Sequence, residues 1–189
     1  MNYLYGWNPV AEFILDEFTE RGTPVHGVVV DDEYLHVSLR PKHLPVFAAS
    51  CLVFDSNDAV FNCLGYKDLS QRIRVGERLL VMQVLKSFIS GKAQVHPSAN
   101  IGDGTVLVGD VVIEQSCEIG KHGLFWGGSR ICHDSRLGPG VFLASGSVVG
   151  GGCTVGSTCS LGFNSSMKEK SSMPDGTKVG ANRFWKPGP

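Results

Sequence analysis

The 189-residue sequence lacks an excess of either charge: 17 Lys and Arg face 18 Asp and Glu, a formal net charge of −1. A nucleic-acid binder or a membrane-surface binder would carry a basic field, and neither partner is expected here. The sequence also lacks any apolar run near the roughly 20 residues that a membrane span requires. Its opening residues, Met1 to Phe13, show no basic segment followed by a long apolar stretch, so no secretory signal is evident. None of the six cysteines (Cys51, Cys63, Cys117, Cys132, Cys153 and Cys159) forms a C-x-x-C pair. That spacing excludes a zinc knuckle and a thioredoxin-type redox motif. A disulfide framework does not suit a chain of this length without an export signal, so the thiols read as reduced and the protein as cytoplasmic. Charged residues are only 19% of the chain while hydrophobic ones are 42%, which is enough to build a core and argues against disorder.

Glycine is what the chain has in quantity. Of its 24 glycines, 18 lie between Gly91 and Gly180. The same stretch is an internal repeat with a period of six. Stepping by six from Val95 gives Ile101, Leu107, Ile113, Ile119, Phe125, Ile131, Leu137, Leu143, Val149, Val155, Leu161, Met167, Met173 and Val179, without an interruption. Two residues before each stands a small or β-branched residue, as in Cys117, Gly123, Ser129, Ser135 and Val141. Residues two apart on a strand share a face, so every hexad sends one large and one small side chain inward. Three hexads close a triangular coil of 18 residues. About five coils, each rising roughly 4.8 Å, make a prism about 24 Å tall. Glycines crowd its corners, where positive φ is often required. The pattern predicts a parallel β-helix over 91–180 and sets 181–189 apart as a C-terminal tail.

Residues 1–90 read as a small α/β unit. Tyr3–Tyr5 is a short strand. Asn8 caps a helix with Pro9 in its first turn, an apolar stripe of Val10, Phe13, Ile14 and Phe18, and Gly22 at its end. Val25–Val30, Cys51–Phe54 and Ala59–Leu64 read as strands, 33–50 as irregular, and Gly65–Asp68 as a turn into a helix from Leu69 to about Met82. Leu85–Ile89 is the strand that enters the prism. Alternating strands and helices imply a parallel sheet. Ligands of such sheets sit at the strands' carboxyl ends, where Gly6, Asp31, Asp32 and Gly65 fall.

The order of a small βαβ unit, a helix and then hexads resembles the bacterial sugar acyltransferases of the sialic acid O-acetyltransferase type, a group that includes N-acetyltransferases of nucleotide-linked amino sugars. The most specific stretch is Phe125–Asn164, FWGGSRICHDSRLGPGVFLASGSVVGGGCTVGSTCSLGFN. The resemblance implies left-handed winding, acetyl-CoA as co-substrate and a homotrimer with coenzyme A between neighbouring prisms. It puts His133 as general base, with Asp134 orienting it, and coenzyme A alongside Gly146, Gly151 and Gly162. Gly6, Asp31-Asp32 and Gly65 match the family's nucleotide-sugar site. The first loop, GWNPVA, lacks the family's glycine-rich continuation, and Phe142 and Gly146 occupy the area of its second histidine.

The register places His133 at a corner, in a column with Pro97, Gln115, Gly151 and Glu169. A neutral imidazole there can take a proton from an attacking amine or hydroxyl. The backbone N–H of Gly151, one strand spacing above, can meet a thioester oxygen as charge develops. His122 reads as a solvated corner residue and His96 as structural. The separations of 26 and 11 between His96, His122 and His133 keep them out of one column, which argues against a bound metal. Cys117, Cys153 and Cys159 fall in the small inward slots. No Ser or Cys pairs with a base, so direct attack is expected rather than an acyl-enzyme. Three functions remain open on the sequence: N-acetylation of a nucleotide-linked amino-deoxy sugar, O-acetylation of a sugar hydroxyl, and a non-catalytic β-helix scaffold.

Overall fold

The computed structural model describes residues 1–35, 41 and 43–187, and its chain divides into two units, Met1–Phe88 and Ile89–Pro189. In the first unit the elements are β1 (Asn2–Tyr5), α1 (Pro9–Glu20), β2 (Gly27–Val30), β3 (Val46–Ala48), β4 (Ala59–Asn62), α2 (Leu69–Val81) and β5 (Leu85–Lys86). All five strands are parallel, in the order β3-β2-β1-β4-β5. The order reverses between β1 and β4, which makes that point the place where a crevice opens at the strand ends.

Helix α1 starts at Pro9 because Asn8 Oδ1 accepts from the N–H groups of Val10 (2.9 Å) and Ala11 (3.4 Å). Such a cap contributes about 1 kcal/mol. Val10, Ala11, Ile14 and Phe18 are buried, a stripe at helical spacing, while Phe13 is only half-buried. Gly22, at φ +65°, ends the helix in the left-handed region. The core of the sheet gathers Tyr3, Tyr5, Val29, Val60, Val75 and Leu79.

Three expectations for this unit need correction. The edge strand is Val46–Ala48, within the stretch read as irregular, and Cys51–Phe54 is not a strand. Leu52 and Phe54 pack on the core singly while Val53 is 92% exposed, so the alternation there is that of a loop laid across the unit's surface. Residues 36–40 and 42 of the irregular stretch lie outside the described residues. The expected strand Leu85–Ile89 is two strands: Leu85–Lys86 pairs with β4, and Phe88–Ile89 heads one ladder of the repeat.

The second unit is a parallel β-helix of two-residue strands arranged in three ladders. One runs through Gln94–Val95, Val112–Ile113, Arg130–Ile131, Val148–Val149, Ser166–Met167 and Phe184–Trp185. Strands 18 residues apart pair, as in Ile113↔Ile131 and Leu137↔Val155. The core contains the predicted large positions from Leu107 to Val179, with Val95 and Ile101 partly buried at its end. Each fully buried Ile or Leu contributes about 1.5–3 kcal/mol. The small slots hold Cys117, Cys153 and Cys159, all buried, and corner carbonyls accept from several slot side chains: Cys117 Sγ donates to Cys132 O (3.2 Å), Ser135 Oγ to Gly150 O (2.9 Å) and Ser147 Oγ to Ala144 O (2.7 Å), while the buried Ser129 Oγ has no partner among the described residues. The ladder continues into the segment set apart as a tail, because Trp185 stands six residues past Val179 and packs against the core.

Corners take positive φ, but not only at glycine: Ser116, His122, Asp134, Thr158, Asn164, Lys170 and Asn182 adopt it as well. Close packing of coils makes a different demand on Gly120. A Cβ there would lie 2.6 Å from Gly138 C and 2.7 Å from Pro139 N. Backbone cannot rotate away as a side chain can, so Gly120→Ala is expected to cost about 1–3 kcal/mol, read as a lowered thermal midpoint.

Candidate active site

The expected base sits at the corner after Arg130–Ile131. His133 Nδ1 lies 2.8 Å from Asp134 Oδ2. An ionised carboxylate only accepts, so in the neutral ring Nδ1 carries the proton and Nε2 keeps the lone pair. Asp134 reaches this position from a left-handed backbone at φ 59°, which Asp tolerates better than most residues. The two side chains are 51% and 64% exposed. The His133 backbone is held from both adjoining coils: its carbonyl accepts from Gly152 N–H (2.8 Å), and the next N–H, of Asp134, donates to Gln115 O (3.1 Å).

Gly151 sits against the free edge of the ring. A Cβ on Gly151 would come within 2.8 Å of His133 Nε2, so the missing methyl is the space the imidazole uses. The Gly151 N–H has no acceptor among the described residues, whereas its neighbours Gly150 and Gly152 donate to Met167 O and His133 O. It is a free donor beside a free acceptor. The other two glycines expected to meet coenzyme A have structural reasons to be glycine. Gly146 has φ +73° and its Cβ would strike Asn164 Oδ1, and the Cβ of Gly162 would lie 2.6 Å from Ala181 N. Cys132, next to His133, is not an activated nucleophile: burial pushes its thiol up from the usual range. Glu114 was not foreseen. It accepts the His133 N–H, a contact set by a residue one coil and one position earlier in the chain.

His122, expected to be solvated, is buried. The hexad register assigns a residue to a corner but not what lies against that corner. His96 Nδ1 is 2.9 Å from Ser98 Oγ. Among the described residues no three His, Cys, Asp or Glu side chains gather where they could hold a metal. No helix of the described residues is long and apolar enough to cross a membrane.

In the first unit a cavity of about 250 Å³ opens at the carboxyl ends of β1 and β2. Its walls include Tyr5, Gly6, Trp7, Asp31, Tyr34 and Gln71. Gly6 has φ +89°, and its N–H donates to Val29 O (2.8 Å). The Tyr5 hydroxyl donates to Asp31 Oδ1, while Arg78 donates to the Tyr5 oxygen, lies 3.4 Å from Asp31 Oδ1 and stacks 5.4 Å from the Tyr5 ring centroid. Burial first, then the Asp31 carboxylate, pushes the Tyr5 hydroxyl well above its ordinary range. The buried guanidinium of Arg72 donates to the carbonyls of Asn62 (2.8 Å) and Leu64 (2.7 Å), fixing the chain that forms another wall.

The structure separates the acidic pair. Asp31 lines the cavity, and Asp32 does not. Asp32 instead accepts from Ser50 Oγ (2.5 Å) and Ser50 N–H (3.2 Å), contacts that hold its carboxyl below the usual range. Gly65 is also absent from the walls. Its backbone is extended, with φ −82° and ψ −172°, and a Cβ there would meet open space. The N-terminus of α1 is already capped by Asn8, whose Nδ2 also donates to Cys63 O (2.7 Å). Arg78 is a further residue unforeseen from the sequence, since nothing local connects it with Tyr5, 73 positions earlier.

A five-stranded parallel unit followed by a β-helix is a known combination. No family model matches the chain, and no curated protein matches it in sequence. Solved structures do. The acetyltransferase domain of PglB from Neisseria gonorrhoeae FA1090 superposes with a TM-score of 0.85 at 18% identity, covering 98% of this chain and 90% of that one. A histidine-to-asparagine variant of perosamine N-acetyltransferase from Caulobacter crescentus, in complex with CoA and GDP-perosamine, gives 0.82 at 22% identity, covering 98% and 88%. WeeI from Acinetobacter baumannii AYE gives 0.72 at 15% identity, covering 97% and 95%. At these identities the likeness establishes the shared fold.

Proposed function

We propose that this chain transfers the acetyl group of acetyl-CoA to the amino group of a nucleotide-linked amino-deoxy sugar, by direct attack with His133 as the general base. The observation that carries the reading is the pairing of a free Nε2 with the unused Gly151 N–H at one corner. The amine nitrogen attacks the thioester carbonyl, and Nε2 accepts the proton it releases. Negative charge growing on the carbonyl oxygen is met by the Gly151 N–H. The C–S bond then breaks, and the imidazolium returns the proton to the coenzyme A thiolate. Asp134 stabilises the imidazolium and holds the tautomer. The raised thiol of Cys132 and the engaged hydroxyl of Ser135 support direct attack over an acyl-enzyme. That two proteins of this fold carry the names acetyltransferase and perosamine N-acetyltransferase supports the chemistry, and the cavity at the strand ends supports a nucleotide-linked acceptor.

Thermal melting with acetyl-CoA and with UDP-, dTDP-, GDP- and CMP-linked amino sugars tests this. A ligand at one hundred times its Kd stabilises the native state by about 2.7 kcal/mol. Acetyl-CoA and one nucleotide class should each raise the midpoint, and coenzyme A should be released only when both are present. Release with a hydroxyl-bearing sugar alone selects O-acetylation. No shift and no release would mean a scaffold.

Asp31 is the carboxylate proposed to read the nucleotide. Asp31→Ala should raise KM for the sugar nucleotide on the order of tenfold or more, the worth of a hydrogen bond to a charged group, and leave KM for acetyl-CoA nearly unchanged. Equal effects on both would mean damage to the fold. A corner as open as that of His133 needs a second wall to enclose a pantetheine arm, which supports a homotrimer. Light scattering should then give three times the 20.3 kDa chain mass, and a monomer at micromolar concentration would defeat the assembly.

A further inference from the structure

We propose that Glu114 is a positioning residue for the base, fixing the peptide from which the His133 side chain projects. This rests on the reading of His133 given above. Glu114 follows the strand Val112–Ile113, one coil before His133, and its own N–H donates to Ile131 O (3.0 Å). Its carboxylate then spans two partners: Oε2 accepts from the His133 N–H (3.1 Å), and Oε1 accepts from Arg130 (2.9 Å). Both contacts hold the carboxyl below the usual range, the His133 N–H most strongly. The arrangement is not a property of the repeat. At the same hexad position one coil on, the Gly151 N–H has no acceptor among the described residues. At Ser157 the acceptor is Asp175 Oδ1 (2.7 Å), from the following coil rather than the preceding one.

The mechanical consequence follows from the rest of the corner. The His133 carbonyl is tied to Gly152 N–H and the Asp134 N–H to Gln115 O. Glu114 restrains the preceding peptide at the His133 N–H, while that peptide's carbonyl, Cys132 O, accepts from the Cys117 thiol. With both peptide planes that flank the His133 Cα held in this way, the direction of the Cα–Cβ bond is set. Arg130 orients the carboxylate from the strand that leads into the corner. Without Glu114 the preceding peptide keeps only the thiol contact and can tilt, and the ring leaves the space over Gly151.

The test is turnover with acetyl-CoA and GDP-perosamine, or whichever amino-sugar nucleotide of the melting panel binds. Glu114→Ala should lower kcat roughly 10–100-fold, the scale of a displacement near 1 Å, with KM for acetyl-CoA unchanged. Glu114→Gln keeps a carbonyl acceptor for the His133 N–H and should restore most of the loss. On a His133→Ala background Glu114→Ala should cost no more than about a further twofold, because the group it positions is gone. A parent-like kcat in Glu114→Ala, failure of Gln to rescue, or an undiminished loss on the His133→Ala background each overturns the proposal. Full activity of His133→Ala by itself has a different signature and defeats the base assignment.

Discussion

His133→Ala should lower kcat by roughly 10²–10⁴-fold, the range for removing a positioned general base. The expectation rests on where the ring sits. Its side chain is half exposed and outside the ladder of inward residues, so the core from Leu107 to Val179 is untouched and the melting temperature should hardly move. Acetyl-CoA binding should survive, because the Gly151 N–H and the corner backbone remain. Asp134→Asn is the companion variant: it tolerates the same left-handed backbone, and it puts a neutral amide in place of the carboxylate that stabilises the imidazolium and holds its tautomer. Its loss should be smaller than that of His133→Ala, and the ranking is part of the claim. The pH profile gives an independent reading. A base must be unprotonated to work, so the acidic limb of kcat/KM in the parent should disappear in His133→Ala. Retention of more than about a tenth of parental turnover would place the proton transfer elsewhere.

The sequence disclosed the repeat because a β-helix projects three-dimensional proximity onto a fixed separation. Pairing of residues 18 apart is arithmetic, and Ile113, Ile131 and Val149 stack as the step of six requires. The same arithmetic reaches Trp185, which the reading left in the tail. Position on the polygon is therefore legible, and surroundings are not. His122 and His133 both fall at corners, yet one is buried and the other half exposed. Glu114 was within reach of the register, as the residue 19 before His133, but the period says nothing about which way an outward glutamate bends. In the first unit no such projection exists. Asp31 and Asp32 are neighbours with the same charge, and only the fold turns one to the cavity and the other to Ser50. The strand Val46–Ala48 is three residues long and takes its place by pairing with Val28–Val30, a long-range choice that local pattern does not record.

Gly151→Ala separates the chemistry of the corner from its stability. The backbone at Gly151 is not in the left-handed region, so alanine is admitted without backbone strain. What the added Cβ meets is the imidazole, at 2.8 Å from Nε2, 3.0 Å from Cε1 and 3.3 Å from Cδ2. These atoms belong to a surface side chain that can swing away, so the cost to folding should be small. The swing is the point: it carries Nε2 from the place beside the Gly151 N–H. A base and a donor that must converge on one carbonyl no longer do so, and kcat should fall about 10²-fold. Gly176→Ala supplies the opposite case. Gly176 has φ +70° and open space around its Cβ, so alanine strains the backbone by about 1–2 kcal/mol and touches no other side chain. It should lower the melting temperature and leave turnover alone. Gly151→Ala should do the reverse, and a variant at Gly151 that melts early while turning over normally would show that glycine is there for the coil and not for the ring.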